Sequence, residues 1–234
     1  NGIFVTTSGN NGNPGTKAAP KLTVQAAVTA AEAASKVVYV AEGTFNESVT
    51  TSVSIHGGYE STNWTRNPPR LTSIVGPGAV AITADNSGEE KVLPITGLVW
   101  RGSSSVKAVD PTGVEVTAGS KVEIRNAVFL LNTNGSTVYG LYASQADVWL
   151  RHSIFEGAAL AATMVGAYIV GGSVIVEGNM ITTDIAATSN VYGLWLADTS
   201  AILANNIFNL GDGTSSIGVF IDGVYRSRSA SQIG

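Results

Sequence analysis

VYGLYASQADVWLRHSIF, residues 138–155, and MVGAYIVGGSVIVEGNMI, residues 164–181, align position for position at an offset of 26. Working outward from this pair, glycine recurs at Gly113, Gly140, Gly166, Gly193 and Gly218, in steps of 27, 26, 27 and 25. A period that regular is not a property of loops and marks a repeat architecture. A second marker keeps the same rhythm. Gly97, Asn126, His152, Gly178 and Asn205 fall in one column with steps of 29, 26, 26 and 27, ahead of apolar pairs such as Val128-Phe129, Ile154-Phe155 and Ile207-Phe208. Glycine, asparagine and histidine are residue types that tolerate positive φ. The column is therefore expected to be a backbone bend repeated in every unit, not a set of side-chain functions.

Between the two markers apolar residues alternate with a period of two, as strands do. The sets Tyr139/Leu141/Ala143, Val165/Ala167/Ile169, Tyr192/Leu194/Leu196 and Ile217/Val219/Ile221 are expected to face inward. Val122/Ile124, Val148/Leu150, Val174/Val176 and Ala201/Leu203 supply a second strand per repeat. Two or three short strands with no helical period between them make each repeat one coil of a parallel β-solenoid.

Composition agrees. Hydrophobic residues make up 44% of the chain and charged residues 13%, against about 25% charged in average domains. A solenoid of 234 residues buries a long, thin core and needs no second domain, so residues 1–234 are read as one unit. The net charge of −4 and the lack of a basic stripe argue against nucleic-acid binding. No apolar run approaches the roughly 18 residues of a spanning helix, so membrane insertion is not expected. Zero cysteines remove disulfides, thiolate metal sites and cysteine nucleophiles together. Without a metal-ligand spacing or a phosphate-cradling loop, no cofactor is expected either.

The chain opens at Asn1 with neither methionine nor signal peptide, which suits a mature or trimmed secreted protein. Residues 1–36 read as a cap. Ile3-Phe4-Val5 forms a first strand, a Gly/Asn/Pro loop follows from Ser8 to Pro20, and Leu22 to Ala34 then places Val24, Ala27, Val28 and Ala31 on one helical face. Residues 37–234 read as coils. No cap is evident at Ile233-Gly234, where further chain or a partner is expected to cover the end.

After the helix come Val37 to Val40, then Glu42-Gly43-Thr44-Phe45-Asn46-Glu47, then Val53-Ser54-Ile55-His56-Gly57-Gly58-Tyr59 with Trp64 and Arg66. This order resembles the N-terminal part of secreted bacterial right-handed parallel β-helix proteins of the pectin-lyase-like superfamily. By motif the resemblance covers residues 1 to 78, and by coil pattern the remainder. It implies an all-β, right-handed parallel β-helix with a short N-terminal capping helix, found outside the cell or at its surface. The group includes polysaccharide lyases, glycosidases, epimerases, tailspikes and adhesins, so fold does not settle function. Its lyases typically use a Lys or Arg base near acidic calcium ligands, and its glycosidases use clustered aspartates.

Neither constellation is compelling in this chain. Glu115 and Glu123 are the only carboxylates on the outward strand positions; a glycosidase needs two carboxyl groups within about 5 to 10 Å, and the preferred reading makes them solvated strand charges near Lys121. Arg151 and Glu177 are expected to form a ladder contact between coils rather than a lyase site. Asp147, Asp184, Asp198, Asp212 and Asp222 occupy different registers, unlike the converging oxygens of a calcium cage. His56, ahead of Gly57-Gly58, and His152, in the bend column, are both expected to serve turns.

The outward aromatic residues are the sharper signal. Tyr142, Tyr168, Trp195 and Phe220 are expected to stack at about 4.8 Å per coil, each beside an outward glycine, with Trp149, Ile175 and Ile202 around the corner. A contiguous apolar face of that size marks an interface or a binding site. Three occupants are open: a protein partner or second copy, a polysaccharide, or loops of the same chain such as Ala158 to Thr163 and Thr182 to Asn190. The function expected is a non-enzymatic structural or adhesive module. The alternative is a carbohydrate-binding or polysaccharide-degrading β-helix, a lyase or hydrolase.

Overall fold

A computed structural model of the chain describes residues 1–66, 72–77, 80–102, 112–131, 136–158, 161–184, 190–211 and 214–223. The chain is a parallel β-solenoid. One coil shows the plan: Thr112–Val116, Lys121–Arg125 and Val128–Leu130 are its three strands, and they define a first, second and third column. Each strand pairs in parallel with its counterpart in the next coil. Thus Val122 sits beside Val148, Val148 beside Val174 and Val174 beside Ala201, in the register set by the sequence repeat. Among the described residues the first two columns form one thirteen-stranded sheet and the third a seven-stranded sheet. They join because Thr137–Arg151 and Thr163–Glu177 run from the first column into the second without a break.

Alternation fills the interior. Ile124, Leu150 and Val176 stack from the second column, Leu141, Ala167 and Leu194 from the first, all fully buried. The third column sends in Trp100, Phe129 and Phe155; the two phenylalanines stack at 4.2 Å with their planes 3° apart.

The sequence implies outward glycines, but the structure turns them toward the third column: Gly113, Gly140, Gly193 and Gly218 lie against Phe129, Phe155 and Phe208, and Gly166 against Ile181. A Cβ on Gly140 would stand 2.7 Å from Phe155 Cε1, and one on Gly193 2.5 Å from Phe208 Cδ1. The missing side chain makes the room. It also breaks the alternation, since Gly140 and Leu141 both face the core, and this places Tyr139 outside together with Tyr142. Tyr192 is outside with Trp195 for the same reason.

The bend column is as the sequence implied. Gly97, Asn126, His152, Gly178 and Asn205 have φ of 69°, 53°, 48°, 66° and 54°. The next residue in each coil turns inward, and there the structure adds a buried polar ladder. Asn179 Nδ2 donates to Leu150 O at 2.9 Å and Glu177 O at 3.1 Å, while Asn179 Oδ1 accepts from Ser153 N at 2.9 Å. Asn206 repeats the pattern one coil on, donating to Val176 O at 2.8 Å.

At the N-terminal end Gly2–Val5 is the first strand of the second column, and the helix Val24–Ala34 buries Val24, Ala27, Val28 and Ala31. Glu47, the last residue of the Glu-Gly-Thr-Phe-Asn-Glu motif, caps that helix: its carboxylate accepts from Val24 N at 2.7 Å and Gln25 N at 2.9 Å. An anion across free N–H groups at a helix start is favoured by the macrodipole as well. The C-terminal residues Ile233 and Gly234 lie outside the described residues. In the last described coil, Ile202, Leu203, Ile207 and Ile221 are 62%, 39%, 60% and 49% exposed.

Candidate functional site

The outward aromatic residues of the first column form one continuous surface. Their rungs run Glu115, Tyr142, Tyr168, Trp195, Phe220. Ring centroids are 5.4 Å apart for Tyr142 and Tyr168, 5.4 Å for Tyr168 and Trp195, and 5.0 Å for Trp195 and Phe220. Tyr139 and Tyr192 widen the stripe. Tyr139 lies 5.6 Å from Tyr142, and Tyr192 lies 4.8 Å from Trp195. Sequence reasoning missed these two because a spacing of three residues puts them on the opposite parity in an ideal strand; only the glycine break reverses it.

The six rings half-cover one another, so the face is less bare than four isolated rings would be. Its geometry is uneven. Tyr142 and Tyr168 are stacked with 26° between planes, whereas Trp195 meets both Tyr168 and Phe220 edge-on at 80°. Trp195 Nε1 is buried, and no described group accepts its hydrogen. Burial raises the Tyr168 hydroxyl above its ordinary pKa, with the neighbouring Tyr142 and Asp222 adding to the effect.

Trp149, Ile175 and Ile202 occupy successive rungs of the second column, around the corner from the stripe. Trp149 and Ile175 are half-buried and Ile202 is 62% exposed. The segments 159–160 and 185–189, within the loops considered as covers for the stripe, lie outside the described residues.

The candidate carboxylates are not brought together. Glu115 lies in the first column between Thr83 and Tyr142, and Glu123 in the second. Glu123 is 3.4 Å from Arg151 and 3.9 Å from Arg125; Arg151 also reaches Glu177 at 3.4 Å, the ladder contact that the sequence suggests. Among the described residues no group of three or more His, Asp or Glu is placed to hold a metal ion. His152 is a bend residue. His56 is not: it lies inside the strand Ile55–Tyr59, with Nδ1 2.9 Å from Thr96 Oγ1 and its ring 5.8 Å from Tyr39, because the positive φ of that segment belongs to Gly58 instead.

No protein-family model matches the chain, and no curated protein or solved structure matches it at a significant level.

Proposed function

We propose that the chain is a non-enzymatic structural or adhesive β-helix module whose aromatic face, Tyr142, Tyr168, Trp195 and Phe220 with Tyr139 and Tyr192, docks against protein, either a partner or a second copy. The observation that carries this reading is the pair of 80° turns at Trp195. A row of sugar rings needs flat, co-oriented platforms, whereas protein side chains interdigitate with edges and faces alike. Aromatic residues are also the anchors that dominate protein interfaces. Trp149, Ile175 and Ile202 extend the same surface around the corner.

The resemblance of residues 1–78 to pectin-lyase-like proteins supports a secreted or surface-displayed bacterial origin within that superfamily. The polysaccharide alternative keeps one support. The Tyr142 and Tyr168 rings, 26° apart, would accept a single sugar face.

Light scattering across a concentration series, run beside Trp195→Ser, tests the self-association form. The expected result is a mass above the 24.0 kDa of one chain that falls toward it in the variant. A monomer in both would overturn that form and leave a separate partner as the occupant. New unsaturated or reducing ends released from an acidic polysaccharide would overturn the non-enzymatic reading itself.

A further inference from the structure

At the bend between the second and third columns a cleft of about 370 Å³ has Arg66, Asn126 and His152 as its polar lining and Val128 and Ile154 as its apolar lining. The backbone amides of these bends are already used. Gly97 N donates to Arg125 O, Asn126 N to Arg151 O and His152 N to Glu177 O, at 3.1, 3.2 and 3.0 Å. Any polar contact to a guest must therefore come from side chains.

Two of those side chains are seated by glycines. A Cβ on Gly97 would stand 2.5 Å from Arg66 Nη2, and one on Gly178 would stand 2.9 Å from the His152 ring. Arg66 is tied down further, since Nη2 donates to Thr96 Oγ1 at 2.7 Å. The hydroxyl hydrogen of Thr96 is then free to be donated to His56 Nδ1, at 2.9 Å. Burial, followed by the charges of Arg66 and Arg125, lowers the His56 pKa and keeps that imidazole neutral. No carboxylate lines the cleft among the described residues, and none of them pairs with Arg66.

The charge lining the cleft is thus the one fixed guanidinium of Arg66, beside an aliphatic wall, while the nearby Arg125 faces Glu123 at 3.9 Å. A planar guanidinium held in place matches a carboxylate in bidentate fashion. A single positive charge balances one negative charge rather than two. We propose that this cleft binds a carboxylate carried next to an aliphatic group. Arg66 forms the ion pair, Asn126 and His152 donate hydrogen bonds, and the half-buried Ile154, backed by the buried Val128, receives the aliphatic part. The site is independent of the aromatic face. The carboxylate can come from an acidic residue of a protein segment or from a small free acid.

The test follows the His152 ring by NMR in the whole chain while 4-methylpentanoate, its amide 4-methylpentanamide, or the peptide N-acetyl-leucyl-aspartyl amide is added. Saturable shifts are expected with an acid and not with 4-methylpentanamide, weakened about tenfold or more in Arg66→Gln. Asn126→Asp, at an exposed position whose positive φ aspartate tolerates, keeps Arg66 and is expected to repel the acid by its own charge. Saturation by the peptide at lower concentration points to a protein source, and saturation by the free acid alone to a small molecule. Absence of saturation by either acid up to about 10 mM, equal binding of the amide, or undiminished binding in both variants would overturn the proposal.

Discussion

Gly140 and Phe155 share one volume: a Cβ on Gly140 would stand 2.7 Å from Phe155 Cε1 and 2.6 Å from Gly166 O. Apart from Gly166, whose third-column neighbour is Ile181, the glycine column and the third-column aromatic residues are two halves of one packing device. Gly140→Ala is therefore expected to destabilise by about 1–3 kcal/mol, the usual cost of overpacking. Denaturant unfolding checks it. In a Phe155→Leu background the same substitution should cost less, because the ring that clashes is gone. Equal costs in both backgrounds would place the strain at the Gly166 carbonyl instead.

Asn179 is 1% exposed, and its amide serves Leu150, Glu177 and Ser153 across adjoining coils. Asn179→Ala removes the side-chain partner of Leu150 O and Ser153 N, at about 1–3 kcal/mol for each group left unsatisfied, while Glu177 O still accepts from His152 N at 3.0 Å. By contrast Asn205→Gly, at an exposed bend with φ of 54°, is expected to change stability little. The two midpoints in one denaturant series separate a buried amide's role from a backbone bend.

Glu47 holds the first two N–H groups of the capping helix. Glu47→Ala should cost about 0.5–2 kcal/mol, and Glu47→Gln should retain part of it, since the amide oxygen still accepts. Hydrogen exchange at Val24 and Gln25 reads the loss locally. Protection unchanged at Val24 and Gln25 in Glu47→Ala would overturn this capping role, since the Thr23 hydroxyl accepts from Ala26 N and not from these two groups.

His56 makes stability depend on pH. Burial first, then Arg66 and Arg125, hold its pKa below the ordinary 6.5. Below that ordinary value the unfolded chain binds the proton more readily than the folded one. Stability therefore rises with pH through this window and is lost as pH falls from about 6.5 downward. The free energy of unfolding of the natural chain, taken relative to His56→Gln, is expected to decline between about pH 7 and pH 5. A constant difference over that span would show that the imidazole titrates alike in both states.

The repeats with the strictest spacing were the most legible. Five bend residues aligned from sequence all have positive φ, because a coil returns to the same corner after nearly the same number of residues. The helix face Val24, Ala27, Val28 and Ala31 was equally plain, since helical periodicity needs only local sequence. Tyr139, Tyr192 and the direction of the glycines were not. Period-two reasoning assumes an unbroken pleat, and the break at Gly140 exists only because Phe155 of the following third-column strand occupies the space beside it.

The cleft at Arg66 was hidden for a related reason. Arg66 lies thirty-one residues before Gly97 and outside the repeat, so no alignment of coils places it over that bend. The chain's own sequence determined that it coils and where each coil turns, because periodicity is a one-dimensional property; it put Leu141, Ala167 and Leu194 in the middle but also Tyr139 and Tyr192, which lie outside. Which rings meet, which carboxylates are already paired and where a cation stands uncovered were decided by the tertiary structure. Those properties depend on side chains of different coils meeting across a corner, at distances that no spacing along the chain encodes.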